Sequence, residues 1–319
     1  MSESLKAEVF ALNYNGEALL RECLPSIVEA AHRSKAPCSV TVIDNESRDG
    51  SVEMLKREFP SVKIRLSKNR VLCSFNEAVR ESDADIVLLL NNDLKVDPNY
   101  PNFVDPLMDV FRDHRDAFLA APQAWTFDGK SYEGSLTKMN FKRGTLWVKS
   151  RFPGYLDKVN TPGVTMQAGF GAYHRQIFLA LGGFDDLYLP GMVEDADLCF
   201  RAWKTGRACY YVPQSRVRHM GQATFKKYFG KRRLSAINHR NYHLFMWKNI
   251  TEPRLWREYL LWYFIRPFYF LLQGRPEFLW GTLWAFGRLG AALKKRRAMK
   301  DAPRRRSDLE IFRISENIG

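Results

Sequence analysis

The chain has 319 residues, 45% of them hydrophobic and 26% charged, a balance that belongs to folded proteins and excludes global disorder. Its formal net charge is +14, and the excess lies in one region: residues 216–306 carry 22 Lys and Arg against 4 Asp and Glu, leaving the rest near −4. A weakly acidic body with a strongly basic stretch calls for an anionic partner or surface.

In chain order, EVFAL (8–12) reads as a short apolar strand and GEALLRECLPSIVEAAHR (16–33) as a helix. SVTVID (39–44) is a second strand, SVEMLKREF (51–59) a helix, VKIRL (62–66) a third strand and FNEAVRES (75–82) a helix. DIVLLL (85–90) is the fourth strand and the most apolar. Strands alternating with helices imply an α/β fold with a mostly parallel sheet and right-handed crossovers. In such sheets ligands bind beyond the carboxyl ends of the strands. Three strands here end in polar residues: Asn13-Tyr14-Asn15, Asp44-Asn45 and Asn91-Asn92-Asp93. One such ending is commonly a helix cap. Three on one sheet edge point to a shared ligand.

Residues 125–165 read as glycine-punctuated loops and short strands over a second face. TMQAGFGAYHR (165–175) resumes strand character, and EDADLCFRAWKTG (194–206) is a helix with acids in its first turn, where they favour the dipole. ACYYV (208–212) is a further strand, followed by VRHMG (217–221). From about residue 224 large aromatics and basic residues dominate. LLWYFIRPFYFLLQG (260–274) and FLWGTLWAFGRLGAAL (278–293) are strongly apolar, yet Arg266, Pro267 and Arg288 keep them short of the roughly 20 uninterrupted residues of a membrane span.

Cys23, Cys38, Cys73, Cys199 and Cys209 form no CxxC pair and read as reduced thiols. The opening MSESLKAEVFALNYNG lacks the pattern of a signal peptide, so the expected location is cytoplasmic.

The strand-end residues suit particular chemistry. A carboxylate at Asp44 can accept hydrogen bonds from a base or ribose. Asp93 is placed to hold Mg²⁺ or Mn²⁺, which prefer carboxylate oxygen, and such an ion bridges a diphosphate. In the pair Glu194-Asp195 a carboxylate can serve as general base. Asp197 reads as a helix-face or loop contact rather than a catalyst.

At this point NYNG (13–16), VIDNESRDGS (42–51), Asn69 and Asn76 seven apart, LLLNNDL (88–94), GGFDD (182–186) and EDADLCFRAWKTG together resemble the family 2 glycosyltransferases. The similarity is to their rhamnosyltransferase-like branch, over roughly residues 7–250. The resemblance implies a Rossmann-like nucleotide-sugar-binding sheet of the GT-A type over 1–223. It leaves 224–319 as a helical, membrane-associating region with a basic tail. It implies donor binding by Asn13, Tyr14, Asp44, Asn69, Asn91 and Asn92, with Tyr14 and Asp44 flanking the base and Asn91 near the ribose. It implies metal binding by Asp93 and His219, and inverting transfer with Asp195 as base, Glu194 beside it, and Arg201 as support or acceptor contact. The donor would be a nucleotide-diphospho-sugar and the acceptor a glycan or lipid-linked hydroxyl in surface polysaccharide synthesis. The sequence departs from the family where RVLCSFN (70–76) replaces a glycine-rich stretch, and where the metal motif has one carboxylate.

The aromatic, basic region has three readings: a hairpin packed on the catalytic domain, a surface dipped into an anionic bilayer, or a nucleic-acid face. The bilayer reading accounts for both the aromatics and the charge, and it implies peripheral association with the inner face of the cell membrane and no nucleic-acid partner. The alternative from another class is a non-catalytic basic nucleic-acid or lipid-binding protein on the same fold, which has no need of Asp44, Asp93 and Asp195 together. A nucleotidyltransferase would want a glycine-rich, Arg/Lys-bearing loop after the first strand, and NYNGEALLREC has none.

Overall fold

The computed structural model describes residues 5–221, 229–300 and 303–318. The domain boundary expected at 223–224 lies outside the described residues. Strands β1 (Ala7–Asn13), β2 (Cys38–Asp44), β3 (Lys63–Leu66) and β4 (Ile86–Asn91) run parallel in the order β3-β2-β1-β4. Helices α1 (Glu17–Arg33), α2 (Ser51–Glu58) and α3 (Phe75–Glu81) supply the crossovers. Every residue of β1 and the first five of β4 are buried, as strands covered on both faces require. The chain steps outward from β1 to β3 and then returns to β4 on the other side of β1. That reversal opens a crevice between the carboxyl ends of β1 and β4.

Past β4 the sheet becomes mixed. After β5 (Leu94–Val96) and α4 (Val104–Asp113) come β6 (Ala117–Thr126), β7 (Tyr132–Gly134), and a separate hairpin of β8 (Lys138–Lys142) and β9 (Thr145–Lys149). Then follow α5 (Tyr155–Lys158), β10 (Gly163–Val164), β11 (Gly171–His174), α6 (Arg175–Ala180), α7 (Glu194–Lys204) and β12 (Ala208–His219). Antiparallel β11 sits between β4 and β6, and β12 runs parallel to β6. The sequence reading did not identify β6 and split β12 into two pieces, because Pro122 and Pro213 argue against central strands. The structure accommodates both prolines at one irregularity: Pro122 faces Val212, and the pairing then skips to Arg216.

The C-terminal helices α8 (Lys231–Asn249), α9 (Pro253–Leu272), α10 (Glu277–Phe286), α11 (Leu289–Ala298) and α12 (Asp308–Glu316) do not form a core of their own. Leu244 and Phe245 of α8, and Ile311 and Phe312 of α12, join the core that holds Phe118, Tyr173 and Phe200. The Phe200 ring lies 5.1 Å from Phe245 and 6.1 Å from Phe312.

The joint between α7 and α8 is ionic. Asp197, with no exposed surface, accepts from Arg201 Nε (2.8 Å), from Lys248 Nζ with both oxygens (2.8 Å each), from Asn249 Nδ2 (2.7 Å) and from the Tyr188 hydroxyl (2.7 Å). Lys248 Nζ also lies 2.6 Å from Asp185 Oδ2. Burial penalises both partners and draws the Lys248 ammonium down. On Asp197 burial is outweighed by Arg201 and Lys248, which hold its carboxyl well below the usual range. Removing one partner of such a network strands a buried charge. Lys248→Met is expected to cost about 3–5 kcal/mol in urea unfolding. Lys95→Met, which removes the half-exposed pair with Glu22, should cost under about 1 kcal/mol.

Candidate active site

The carboxyl ends of β4, β1 and β2 are tied by a side-chain relay. Asn92 Nδ2 donates to Asn13 Oδ1 (2.7 Å), and Asn13 Nδ2 donates to Asp44 Oδ2 (3.0 Å). The Ser47 amide donates to Asp44 Oδ1 (2.9 Å). Asn13 and Asp44 are buried, and each Asp44 oxygen keeps lone-pair capacity beyond the bond it accepts. Gly16 makes the relay possible, since a Cβ there would stand 2.0 Å from Asn92 Nδ2 and 2.6 Å from Asn13 Oδ1. Tyr14 and Asn91, both half-buried, flank this rim.

Asn69 lies elsewhere. It is exposed, and its Oδ1 accepts from the Val71 amide (3.1 Å) while its own amide donates to Glu46 Oε2 (3.1 Å). Its side chain therefore braces a turn in which Val71 adopts φ +52°, a conformation that glycine takes without strain and a β-branched residue does not. Asn76 clamps the GGFDD loop, donating to Phe184 O (2.8 Å) and accepting from its amide (2.9 Å).

Asp93 is buried beside His219, its Oδ1 3.4 Å from His219 Nε2 without a hydrogen bond. His219 Nδ1 lies 3.0 Å from Glu133 Oε2, a carboxylate that the sequence reading did not single out. Burial works against the imidazolium, but Asp93 and Glu133 outweigh it and raise His219 to about 9. The Phe170 ring packs 5.5 Å from His219, and its neighbour Gly169 lies under Asp195, whose Oδ2 would be 3.4 Å from a Cβ there. The segment entering β11 thus joins the Asp93 end of β4 to the start of α7.

At that start, Glu194 is buried with Oε2 unpaired, and Asp195 Oδ1 accepts from the Ala196 amide (2.8 Å). Burial and the neighbouring Asp195 charge push Glu194 up to about 8, and burial also raises Asp195 against the pull of the Ala196 amide. Met192 and Val193, immediately before the pair, hold φ of +73° and +79°, each at a cost of about 1–3 kcal/mol. Helix α8 restrains this loop: Asn241 Nδ2 donates to the carbonyls of Tyr188 (2.9 Å), Gly191 (2.7 Å) and Met192 (2.8 Å), and Arg240 donates to Leu189 O (2.6 Å). Arg201, read from sequence as support or acceptor contact, is buried and holds Asp197 and the carbonyls of Leu181 and Gly183.

Buried acceptors without hydrogen bonds collect along this edge: Asn45 Oδ1, Asp93 Oδ1, Glu133 Oε2 and Glu194 Oε2. At Asn45 and Glu194 an unpaired buried acceptor costs about 1–3 kcal/mol, while Asp93 and Glu133 face the His219 imidazolium; a ligand bringing donors or a cation would offset the first and compete with the second. Carboxylate and imidazole donors suit Mg²⁺ or Mn²⁺. Among the described residues, no three His, Cys, Asp or Glu side chains already form a metal cage; His219 stands beside both Asp93 and Glu133.

A family model described as Glycosyl transferase family 2 matches residues 9–182. A Drosophila melanogaster protein named for polypeptide N-acetylgalactosaminyltransferase 10 is 27% identical over 244 residues, 71% of this chain and 36% of that protein, so the match takes in little more than a third of its length. An N-acetylglucosaminyl-diphospho-decaprenol L-rhamnosyltransferase of Mycobacterium tuberculosis is 25% identical over 236 residues, 66% of this chain and 75% of that protein. Among solved structures, GalNAc-T7 with UDP, GalNAc and Mn²⁺ superposes with a TM-score of 0.57 at 17% identity, over 77% of this chain and 48% of that one. At that identity the likeness speaks to fold, which is of the GT-A type with a C-terminal helical extension.

The raised Glu194 has a consequence for stability. Its folded value, about 8, stands above the ordinary 4.5, so its contribution is present below 4.5 and lost as pH rises through 8. Glu194→Gln cannot ionise. Its melting temperature relative to wild type should climb between pH 5 and pH 8.5 in differential scanning fluorimetry.

Proposed function

This chain belongs to glycosyl transferase family 2, and on that premise we propose that it moves a sugar from a nucleotide-diphospho-sugar to a hydroxyl of a glycan or lipid-linked acceptor, with inversion. The observation that carries this reading is the row of buried acceptors along the carboxyl edge of the sheet, Asn45 and Glu194 each with an oxygen that accepts no hydrogen bond and Asp93 and Glu133 converging on His219. A polyhydroxylated, anionic, metal-accompanied ligand supplies both donors and cation to such an edge.

In the proposed reaction the Asn92-Asn13-Asp44 relay and Tyr14 receive the nucleoside, with Asn91 toward the ribose. Asn69 belongs to this donor side only through the turn it braces. Asp195 takes the proton from the acceptor hydroxyl as that oxygen attacks the anomeric carbon. Glu194 lies beside Asp195, its carboxyl pushed up to about 8 by burial and by the Asp195 charge. Asp93 would hold Mg²⁺ or Mn²⁺, joined by His219 once its imidazolium gives up a proton, and the ion would supply charge compensation to the departing diphosphate. The Mycobacterium tuberculosis relative is named as an N-acetylglucosaminyl-diphospho-decaprenol L-rhamnosyltransferase, which agrees with a lipid-linked acceptor, and GalNAc-T7 is solved with UDP, GalNAc and Mn²⁺, which agrees with a nucleotide-sugar donor and a divalent ion.

The same proposal assigns 1–223 to catalysis and sees in 224–319 a region that packs on it through α8 and α12 and faces a membrane through α9 and α10. No helix among the described residues is long and apolar enough to cross a membrane. Instead, Leu260, Leu261, Phe264, Ile265, Phe268 and Leu272 recur at helical spacing along α9 and are exposed, Phe264 by 66% and Leu272 by 90%. Trp280, Leu283 and Trp284 continue the exposed apolar surface on α10. A stripe of this extent is uncommon on a surface meant for water alone, and it suits an interfacial helix lying on a bilayer.

Asp195→Asn is expected to lower turnover by about 10²–10⁴-fold, measured as nucleoside diphosphate release across a panel of nucleotide-sugars with Mg²⁺ or Mn²⁺. Donor-induced thermal shift should survive the substitution. Wild-type protein that no nucleotide-sugar or nucleoside diphosphate stabilises with metal present contradicts the proposal.

A further inference from the structure

Beside the apolar stripe lies a cleft of about 660 Å³ that the proposed chemistry does not use. Lys231, Arg232 and Arg233 at the start of α8 line one wall, and Trp280 and Trp284 of α10 line the other. All three cations are exposed. Among the described residues, none of the three has a carboxylate within ion-pair distance, whereas Lys248, Lys295 and Arg201 are each committed to Asp185, Asp186 or Asp197. Arg233 also stacks its guanidinium 5.4 Å from the Phe229 ring. Trp280 and Trp284, one helical turn apart, are 49% and 44% exposed. Indole at the edge of an apolar surface is characteristic of the depth at which a bilayer turns polar.

We propose that this cleft binds the phosphate of an anionic lipid head group while the α9–α10 stripe enters the acyl region beneath it. Three cations that have no carboxylate partner among the described residues give a phosphate charge-assisted hydrogen bonds, with the two guanidinium groups able to contact it in bidentate fashion. The Trp side chains sit where glycerol and upper acyl carbons would pass. The aliphatic residues of the adjoining stripe have no use in stacking bases, which sets this surface apart from a single-stranded nucleic-acid groove. This inference rests on the membrane-facing reading of α9 and α10 and adds a head-group requirement to it.

The test is flotation of the full chain with vesicles of phosphatidylcholine alone and of phosphatidylcholine with 30% phosphatidylglycerol, at low and high salt. Wild type should partition at least about tenfold better onto the anionic vesicles at low salt, and the preference should shrink as salt screens the cleft. K231Q/R232Q/R233Q should lose that preference yet keep its residual binding to neutral vesicles and its nucleoside diphosphate thermal shift. Phe264→Glu should lose binding to both vesicle types.

A triple variant that keeps the wild-type anionic preference overturns the head-group site while leaving the membrane reading standing. Wild type that binds neither vesicle overturns both. Inorganic phosphate at 10 mM should not elute the bound protein; elution by phosphate, or by a single-stranded RNA at lower concentration than phosphatidylglycerol vesicles require, would reassign the cleft to a soluble anion or nucleic acid.

Discussion

Asp197 is held as a carboxylate with no exposed surface, and the geometry around the start of α7 follows from how that charge is satisfied. Two of its four partners, Arg201 and Tyr188, come from its own helix and the loop before it. The other two, Lys248 and Asn249, come from the end of α8. The carboxylate therefore fixes the first turn of α7 against α8 at the point where Glu194 and Asp195 must face the sheet edge. Lys248 extends the network to Asp185, and Lys295 of α11 ties Asp185 and Asp186 of the same GGFDD loop. Strained residues such as Met192 and Val193 persist only when their surroundings over-determine them, and Asn241 with Arg240 provides that restraint.

This arrangement gives α8 two ends with different tasks. Its C-terminal half is buried among the groups that position the loop before Glu194 and Asp195, whereas its first three residues are exposed cations beside the apolar stripe. At 1.5 Å per residue the helix spans about 28 Å. A single rigid element therefore connects the surface proposed to meet lipid with the loop proposed to carry the base. An acceptor held at a membrane would be presented in a fixed relation to Asp195 by that one helix.

Much of the edge was legible from sequence because it depends on strand ends, and strand ends follow from local apolar runs. Asn13, Asp44 and Asn92 were readable as one site because β1, β2 and β4 had to be neighbours, and their relay is the physical form of that adjacency. Asn69 was read as donor-binding from motif position alone. Its hydrogen bond belongs to the Val71 turn, which replaces the glycine that the family pattern would place there. Asp197 was read as a helix-face or loop contact, because Lys248 and Asn249, which join Arg201 in making it central, lie some 50 residues later in a helix whose pattern carries no amphipathic signal. Glu133 beside His219 and Asn241 beneath Gly191 were hidden for the same reason. Pro122 and Pro213 concealed β6 and the continuity of β12, since the bulge that tolerates them exists only once the two strands pair.

The central claim is that the crevice between β1 and β4 receives a nucleoside diphosphate with its ion at Asp93. The most direct measurement is a crystal structure of the full chain with UDP, GDP or dTDP and Mn²⁺, with the ion located by its anomalous scattering. The account predicts a nucleoside against Asp44 and Asn13, and an anomalous peak within coordination distance of Asp93. A nucleotide bound away from that crevice, or a Mn²⁺ peak that Asp93 does not touch, would contradict it.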